Sequence, residues 1–178
     1  LRRLFGFNFG NFLLLFVVAS HLANGAGVVN QHIAVVRKEH GRFEVRLNQD
    51  EIVMVEQYRH AAGIISLELP GGMVEPGEDP MLAAKREMEE ETGYQSNHFE
   101  LLYTIHPNPP LENNQAHFYL ATQLNLTGNT LFDQYEDINL VLVPKQEFLN
   151  KLLQNSFTHG AQVGAMFAAA IKLGWLKP

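Results

Sequence analysis

The chain has 178 residues, of which 46% are hydrophobic and 18% are charged, and its 13 basic and 19 acidic side chains leave a formal net charge of −6. This length suits one domain, with or without a short appendage, and the acidic balance argues against a nucleic-acid-binding protein, which would carry a basic stripe. The absence of cysteine excludes disulfide scaffolds, zinc ribbons, iron–sulfur clusters and thiol nucleophiles, so a metal would need oxygen or imidazole ligands.

The amino-terminal segment, residues 1–27, differs in composition from the rest of the chain. Arg2 and Arg3 precede a phenylalanine-rich stretch, an unbroken apolar run from Phe12 to Ala19, and a series of small residues. A bilayer span needs about 20 apolar residues, so no stable membrane insertion is expected. The pattern is typical of a secretory signal; the alternatives are a non-native extension or an edge strand that packs on a partner subunit. We expect the domain to occupy residues 28–178, in the cytoplasm unless the segment directs export.

Short runs of β-branched and apolar residues, separated by turn-forming clusters, predict four strands in the first half of the chain. These strands are Ile33–Arg37, Phe43–Leu47, Ile52–Gln57 and Ile64–Leu69. A helix is predicted next, over Pro80–Thr92. Asp79 is a good N-cap, proline suits the first helical position, and Gly93 suits the position after the last turn.

The second half of the chain continues with strands and ends with helices. The predicted strands are Phe99–Ile105, Ala116–Ala121 and Ile138–Val143, and the predicted helices run from Pro144 through Gln154 and over residues 158–173. An order of strands, then a helix between strands, then further helices predicts an α/β fold in which helices sandwich a mixed sheet.

The predicted helix over Pro80–Thr92 carries clustered carboxylates. At 100° per residue, Glu87 and Glu91 lie about 40° apart and Glu90 lies about 60° to the other side. Like charges at this spacing destabilise an isolated helix by a few tenths of a kcal/mol per pair. A solvent-facing acidic helix is one interpretation. The other is a site for a hard divalent cation such as Mg²⁺, which prefers oxygen ligands.

The residues before and along this helix form a recognisable motif. From Gly72 the chain reads G-M-V-E-P-G-E-D-P-M-L-A-A-K-R-E-M-E-E-E-T-G-Y. This resembles the Nudix box, G-x5-E-x7-R-E-U-x-E-E-x-G-U with U apolar or aromatic, at every fixed position. The matching residues are Gly72, Glu78, Arg86, Glu87, Met88, Glu90, Glu91, Gly93 and Tyr94.

Resemblance to the Nudix family implies an α/β/α sandwich around a mixed sheet and hydrolysis of a nucleoside diphosphate linked to another moiety. The box would carry Mg²⁺, with Mn²⁺ as the alternative. The implied metal ligands in the box are the carbonyl oxygen of Gly71 and the side chains of Glu87, Glu90 and Glu91. The residues that would brace the box are Gly72, Glu78, Arg86 and Gly93.

Residues upstream and downstream of the box resemble the ADP-ribose and nucleoside-diphosphate-sugar pyrophosphatase branch of that family. The sequence Glu56-Gln57-Tyr58-Arg59 is followed by Leu67-Glu68-Leu69-Pro70-Gly71-Gly72, and Pro110 lies sixteen residues beyond Tyr94. The resemblance implies that Arg59 binds a substrate phosphate, with Glu68 and Pro110 also on the substrate side. The expected reaction converts ADP-ribose or a related nucleoside diphosphate sugar into a nucleoside monophosphate and a sugar phosphate.

A late loop, Asp133-Gln134-Tyr135-Glu136-Asp137-Ile138, is similar to a loop of the same branch. Glu136 falls on a metal-ligand position there and completes the implied catalytic set with Glu87, Glu90 and Glu91. Gln134 falls where a glutamate that acts as the catalytic base is often found, and a glutamine cannot serve as that base. Glu90, Glu136 and Asp133 are therefore the candidates for accepting the proton. A homodimer is possible. The alternatives for function are a nucleoside triphosphate or dinucleoside polyphosphate hydrolase, and a nucleotide-sensing module without turnover.

Overall fold

The computed structural model describes residues 12–19, 38–39, 42–43, 51–111, 113–131 and 138–178. Its strands are β1 (Phe12–Ala19), β2 (Lys38–Glu39), β3 (Arg42–Phe43), β4 (Glu51–Arg59), β5 (Ile64–Glu68), β6 (Tyr94–Gln95), β7 (His98–Ile105), β8 (Ala116–Thr122), β9 (Asn125–Leu126) and β10 (Ile138–Pro144). Its helices are α1 (Pro80–Thr92), α2 (Lys145–Leu153) and α3 (Gly160–Lys172).

A six-stranded mixed sheet forms the centre of the structure. Five strands follow the order β10-β4-β1-β8-β7, and β5 pairs with β4 as well. The β1–β8 pair is parallel, whereas β1–β4, β4–β10, β4–β5 and β7–β8 are antiparallel. Two short pairs, β2–β3 and β6–β9, lie outside this sheet.

The position of β1 differs from the expectation that residues 1–27 lie outside the domain. Strand Phe12–Ala19 pairs with β4 on one side and β8 on the other, so it is a central strand rather than an extension or an edge strand. Helices α1 and α3 both lie against it.

The sheet separates two apolar clusters, one for each layer of helices. Ile52 and Met54 of β4 pack on the α2–α3 side, whereas Val53 between them packs on the α1 side. Strand β8 alternates in the same way, with Phe118 on the first side and Tyr119 on the second. Because successive strand residues point to opposite faces, this alternation produces the predicted α/β/α sandwich, and the α/β fold class is confirmed.

Helix α1 has the bounds that the sequence predicts, and its ends are held by the predicted residues. The Asp79 side chain accepts hydrogen bonds from the backbone N–H groups of Met81 and Leu82, at 2.9 and 3.2 Å. Gly93 ends the helix in the left-handed conformation, with φ of 70°, and its N–H donates to the Glu89 carbonyl oxygen at 2.8 Å. Cap and glycine together satisfy backbone groups that the helix itself leaves without partners.

Most other predicted elements are confirmed within two residues. They are the strands at β4, β5, β7, β8 and β10 and the helices α2 and α3. The predicted strand Ile33–Arg37 and all of Phe43–Leu47 except Phe43 lie outside the described residues. Among the residues described, no helix is both long and apolar enough to cross a membrane.

Candidate functional site

The candidate site lies where the chain leaves β5 and enters α1. Gly72 packs so closely against Glu87 that a Cβ added to it would lie 2.4 Å from the Cδ and Oε2 atoms of that carboxylate. Real Cβ atoms do not approach other atoms this closely. Only glycine therefore fits at position 72 with the Glu87 carboxylate in place, which explains the first fixed residue of the motif.

Arg86 connects the carboxylates of the site. Its Nε and Nη2 donate to the two oxygens of Glu78, at 3.0 and 3.1 Å. Its Nη1 donates to Glu87 Oε1 at 2.9 Å and to Glu90 Oε2 at 2.8 Å, and Nη2 also reaches the Met73 carbonyl oxygen at 3.1 Å. The planar guanidinium fork thus holds the loop and the helix together.

These contacts keep the charges of the cluster in place. The hydrogen bonds from Arg86 are the main cause that lowers the pKa of Glu78, and a bond from the Glu75 N–H adds to the effect. The pKa of Arg86 is raised, chiefly by its hydrogen bonds to Glu78 and then by the charge of Glu87. Arg86 and Glu78 therefore remain ionised across the physiological pH range, as residues that brace a loop by ion pairing must.

Glu91 links the helix to the loop from the other side. Its side chain is 5% exposed, and its Oε2 accepts a hydrogen bond from the Gly71 N–H at 2.8 Å. Gly71 is a non-adjacent residue, twenty positions earlier in the chain. The contact brings the backbone that carries one predicted ligand against the side chain that carries another.

Arg59 and Glu68 form an ion pair on the neighbouring hairpin. Arg59 Nε donates to Glu68 Oε1 at 2.8 Å and Nη2 donates to Oε2. The Arg59 side chain is 43% exposed and the Glu68 side chain 1%. Burial raises the pKa of Glu68, but the hydrogen bonds from Arg59 and Ser66 outweigh it, and the net shift is downward. The bonds to Glu68 and the charge of Glu91 raise the pKa of Arg59.

This pair changes the expectation for one of its members. Glu68 was expected on the substrate side, but it lies buried beneath Arg59 and both of its oxygens accept from that guanidinium. Arg59 is the exposed member of the pair, which engages two of the five N–H donors of its guanidinium; its role toward a phosphate stays a prediction. The charge of Glu91 on α1 also contributes to the raised pKa of Arg59, so the hairpin and α1 interact electrostatically.

The chemistry of the donor set fits a hard divalent cation. Glu87, Glu90, Glu91 and the Gly71 carbonyl supply only oxygen, which Mg²⁺ and Mn²⁺ prefer. Within the described part of the chain, no group of three or more His, Asp or Glu side chains is already arranged to hold a metal ion. Arg86 donates to Glu87 and Glu90, and the Gly71 N–H donates to Glu91, so the protein itself orients these three carboxylates.

The remaining predicted residues are less tightly connected to this site. Pro110 lies in an exposed turn between β7 and β8, and its role toward substrate stays a prediction. Glu136, Gln134 and Asp133 lie outside the described residues. Sequence reasoning missed Gln162 of α3, which is buried and hydrogen-bonded to Leu69 at the start of the site. A polar residue on the apolar face of the predicted helix is the signal that could have revealed it.

Comparison with known proteins agrees with the motif. A family model described as the NUDIX domain matches residues 37–159. The methanol dehydrogenase activator of Bacillus methanolicus is 38% identical over 103 residues, which are 57% of this chain and 56% of that protein. An ADP-ribose pyrophosphatase of Mycobacterium tuberculosis is 29% identical over 160 residues, which are 86% of this chain and 75% of that protein.

A solved structure described as an ADP compounds hydrolase has the same fold. It superposes with a TM-score of 0.66 at 20% identity, covering 92% of this chain and 74% of its own. The chain spans little more than half the length of the Bacillus methanolicus relative. Because the family model covers more than half of the chain and its motif residues form one connected cluster, the chain belongs to the Nudix family. The proteins it is similar to include ADP-ribose pyrophosphatases of Mycobacterium tuberculosis and Bacillus subtilis, each 29% identical to it.

Proposed function

We propose that this protein hydrolyses the pyrophosphate bond of ADP-ribose or a related nucleoside diphosphate sugar, with Mg²⁺ as its cofactor and Mn²⁺ as the alternative. The oxygen of a water molecule joins one phosphorus atom, and the bond from that phosphorus to the bridging oxygen breaks. The products are a nucleoside monophosphate and a sugar phosphate. The proton lost by the water passes to a carboxylate of the site.

The observation that carries the proposal is the set of hydrogen bonds from Arg86 to Glu78, Glu87 and Glu90. A pyrophosphate is anionic and would be repelled by these carboxylates alone. A divalent cation bound by Glu87, Glu90, Glu91 and the Gly71 carbonyl would neutralise the pyrophosphate oxygens and activate the attacking water. The protein's own contribution is to orient the ligands, since Arg86 and Gly72 leave the Glu87 side chain little freedom.

Arg59 is proposed to bind a phosphate of the substrate. Its bidentate pairing with buried Glu68 fixes the orientation of the guanidinium plane, and its exposed part faces outward with donors suited to phosphate. Glu68 is then a positioning residue that acts through Arg59. Glu90, Glu136 and Asp133 remain the candidates for accepting the proton, and Glu90 is the one of them that lies in the described cluster.

The substrate class rests on the relatives. The Mycobacterium tuberculosis protein, named an ADP-ribose pyrophosphatase, aligns over most of this chain, and the arginine of the Gln-Tyr-Arg segment and the proline-rich loop favour the same branch. These features favour a nucleoside diphosphate sugar over a nucleoside triphosphate or a dinucleoside polyphosphate as the substrate. They do not separate a hydrolase from a module that only binds nucleotides, so the test must measure turnover.

A panel of ADP-ribose, other nucleoside diphosphate sugars, nucleoside triphosphates and dinucleoside polyphosphates tests the proposal. Each is incubated with Mg²⁺ or Mn²⁺, and the products are separated by chromatography. We expect AMP and ribose 5-phosphate from ADP-ribose, with transfer of ¹⁸O from labelled water to one of them. Binding of ADP-ribose without any turnover across the panel would instead identify a nucleotide-sensing module.

Glu87→Gln tests the metal assignment within the same assay. The neutral amide is a poor ligand for a divalent cation, so turnover should fall by about two orders of magnitude or more, by analogy with other losses of charge stabilisation at reacting centres. Glu89→Gln is the matched control, because Glu89 lies on the same helix but bonds to Gln95 and Thr127. Near-wild-type activity of Glu87→Gln with an unchanged Mg²⁺ requirement would refute the assignment.

A further inference from the structure

The backbone at Leu69 leaves the sheet at a defined point. Strand β10 covers one edge of β4 along residues 51–57, so β5 and β1 share the other edge. β5 ends with Glu68 opposite Val55. The pairing with β1 begins at Val53, two residues earlier in β4. The pairing of β5 with β4 ends at Glu68, so Leu69 lies outside it, just before the part of β4 that pairs with β1. Its N–H and C=O groups need other partners, since buried backbone groups are almost always hydrogen-bonded.

The side chain of Gln162 supplies both partners. Its Oε1 accepts from the Leu69 N–H at 2.7 Å, and its Nε2 donates to the Leu69 carbonyl oxygen at 3.4 Å. Gln162 is 0% exposed and lies in the first turns of α3, ninety-three positions away in the chain. The side-chain amide therefore takes the place of a neighbouring strand at one residue, in a segment that runs directly into Pro70, Gly71 and Gly72.

We propose that Gln162 is a positioning residue for the metal-binding backbone of the site. The peptide groups on either side of Pro70 are both held: the Leu69 carbonyl by Gln162, and the Gly71 N–H by Glu91. The two peptide groups that directly precede the Gly71 carbonyl are therefore both held, which restricts the directions that this carbonyl can take. The inference rests on the proposed function, because Gly71 is a ligand only if the site binds a divalent cation.

The start of α3 is itself fixed to the same strand. Ser66 Oγ of β5 and Thr158 Oγ1, two residues before α3, lie 2.8 Å apart in a hydrogen bond. Further along the helix, Met166 packs into the core with 0% exposure. Gln162 therefore projects from a firmly held element, as a residue that imposes geometry on a loop must.

Gln162→Leu removes both hydrogen bonds at nearly constant side-chain volume, and Met166→Leu is the matched control on the same helix. In the protein without added metal, amide hydrogen exchange at Leu69 and Gly71, followed by NMR, should accelerate in Gln162→Leu and stay unchanged in Met166→Leu. Calorimetric titration with Mn²⁺ should show weaker binding by about 10–100-fold, the usual effect of losing a residue that orients a metal ligand. The kcat should fall, with a smaller change in the KM for ADP-ribose.

A second variant keeps the test decisive if Gln162→Leu folds poorly. Gln162→Met also removes both hydrogen bonds but keeps an unbranched side chain of similar length, so it should weaken Mn²⁺ binding as Gln162→Leu does. If the wild type binds Mn²⁺ and both Gln162 variants bind it with the same affinity, the role of Gln162 is overturned and the proposed function stays intact. Failure of the wild type to bind Mn²⁺ would overturn the metal assignment and this role with it.

Discussion

Gly72→Ala would change the site by a single methyl group and tests how closely the loop and the box helix must approach. The added Cβ would lie 2.4 Å from the Cδ and Oε2 atoms of Glu87 and 2.6 Å from Oε1. These atoms belong to the end of a flexible side chain, so the clash can be relieved without unfolding. The carboxylate must then move away by about 1 Å to reach ordinary contact distance.

That displacement sets the expected magnitude. A misplacement of about 1 Å at a reacting centre costs about 10²-fold in rate, which corresponds to about 2.7 kcal/mol in the activation barrier. The free energy of unfolding should change by less than about 1 kcal/mol. Gly72 does not adopt a left-handed conformation, so alanine should stabilise the fold by about 0.4–1 kcal/mol because it lowers the conformational entropy of the unfolded chain. Weakening of the hydrogen bond between Glu87 and Arg86 should destabilise the fold by about the same amount.

Two quantities are measured for each protein: kcat/KM for ADP-ribose at several Mg²⁺ concentrations, and the thermal midpoint of unfolding. Gly160→Ala is the matched control, because a Cβ built there meets no described atom within 4 Å. We expect about a hundredfold loss of kcat/KM in Gly72→Ala, a midpoint within about 4 °C of wild type, and no loss of activity in Gly160→Ala. A Gly72→Ala protein with full activity and an unchanged Mg²⁺ dependence would show that the Glu87 carboxylate does not need its present position.

Three further predictions concern the hairpin and the first strand. Arg59→Lys keeps the charge but not the fork, so kcat/KM for ADP-ribose should fall about tenfold or more, mainly through KM; an unchanged KM would remove Arg59 from the phosphate site. Because the folded pKa of Glu68 lies below its ordinary 4.5, the ion pair stabilises the fold above that value and loses its effect as pH falls through the lower folded pKa. Glu68→Gln should therefore be less stable than wild type at pH 7, by about 1–3 kcal/mol, with the difference shrinking below about pH 4.5; a difference independent of pH in thermal melts would contradict the pairing. Removal of residues 1–19 deletes β1 and should prevent cooperative unfolding; a truncated protein with a wild-type melting transition would show that β1 is not part of the sheet.

Local features of the site could be predicted from the sequence because they depend on neighbouring residues. The ends of α1 follow from Asp79, Pro80 and Gly93, whose effects on a helix act within one turn of the backbone. The spacing of Glu87, Glu90 and Glu91 follows from the helical repeat alone. The Nudix motif adds to these features a prediction of chemistry, since it specifies both the bracing arginine and the carboxylates that it braces.

Contacts between distant segments could not be predicted in the same way. Glu68 was expected on the substrate side; the register of β4 and β5 pairs it with Val55, and its carboxylate is buried against the Arg59 side chain. The apolar run at Phe12–Ala19 is equally compatible with a signal segment or a buried strand, because hydropathy records burial without identifying what covers it.

The sequence by itself determined the family, the box helix and the carboxylates available for catalysis. Only the tertiary structure decided that Leu69 lies beyond the pairing of β5 and that Gln162 takes over its backbone hydrogen bonds. The reason is physical: the carboxylate pattern is encoded over a few residues, whereas the direction of the loop depends on which strand and which helix pack beside it after the chain has folded.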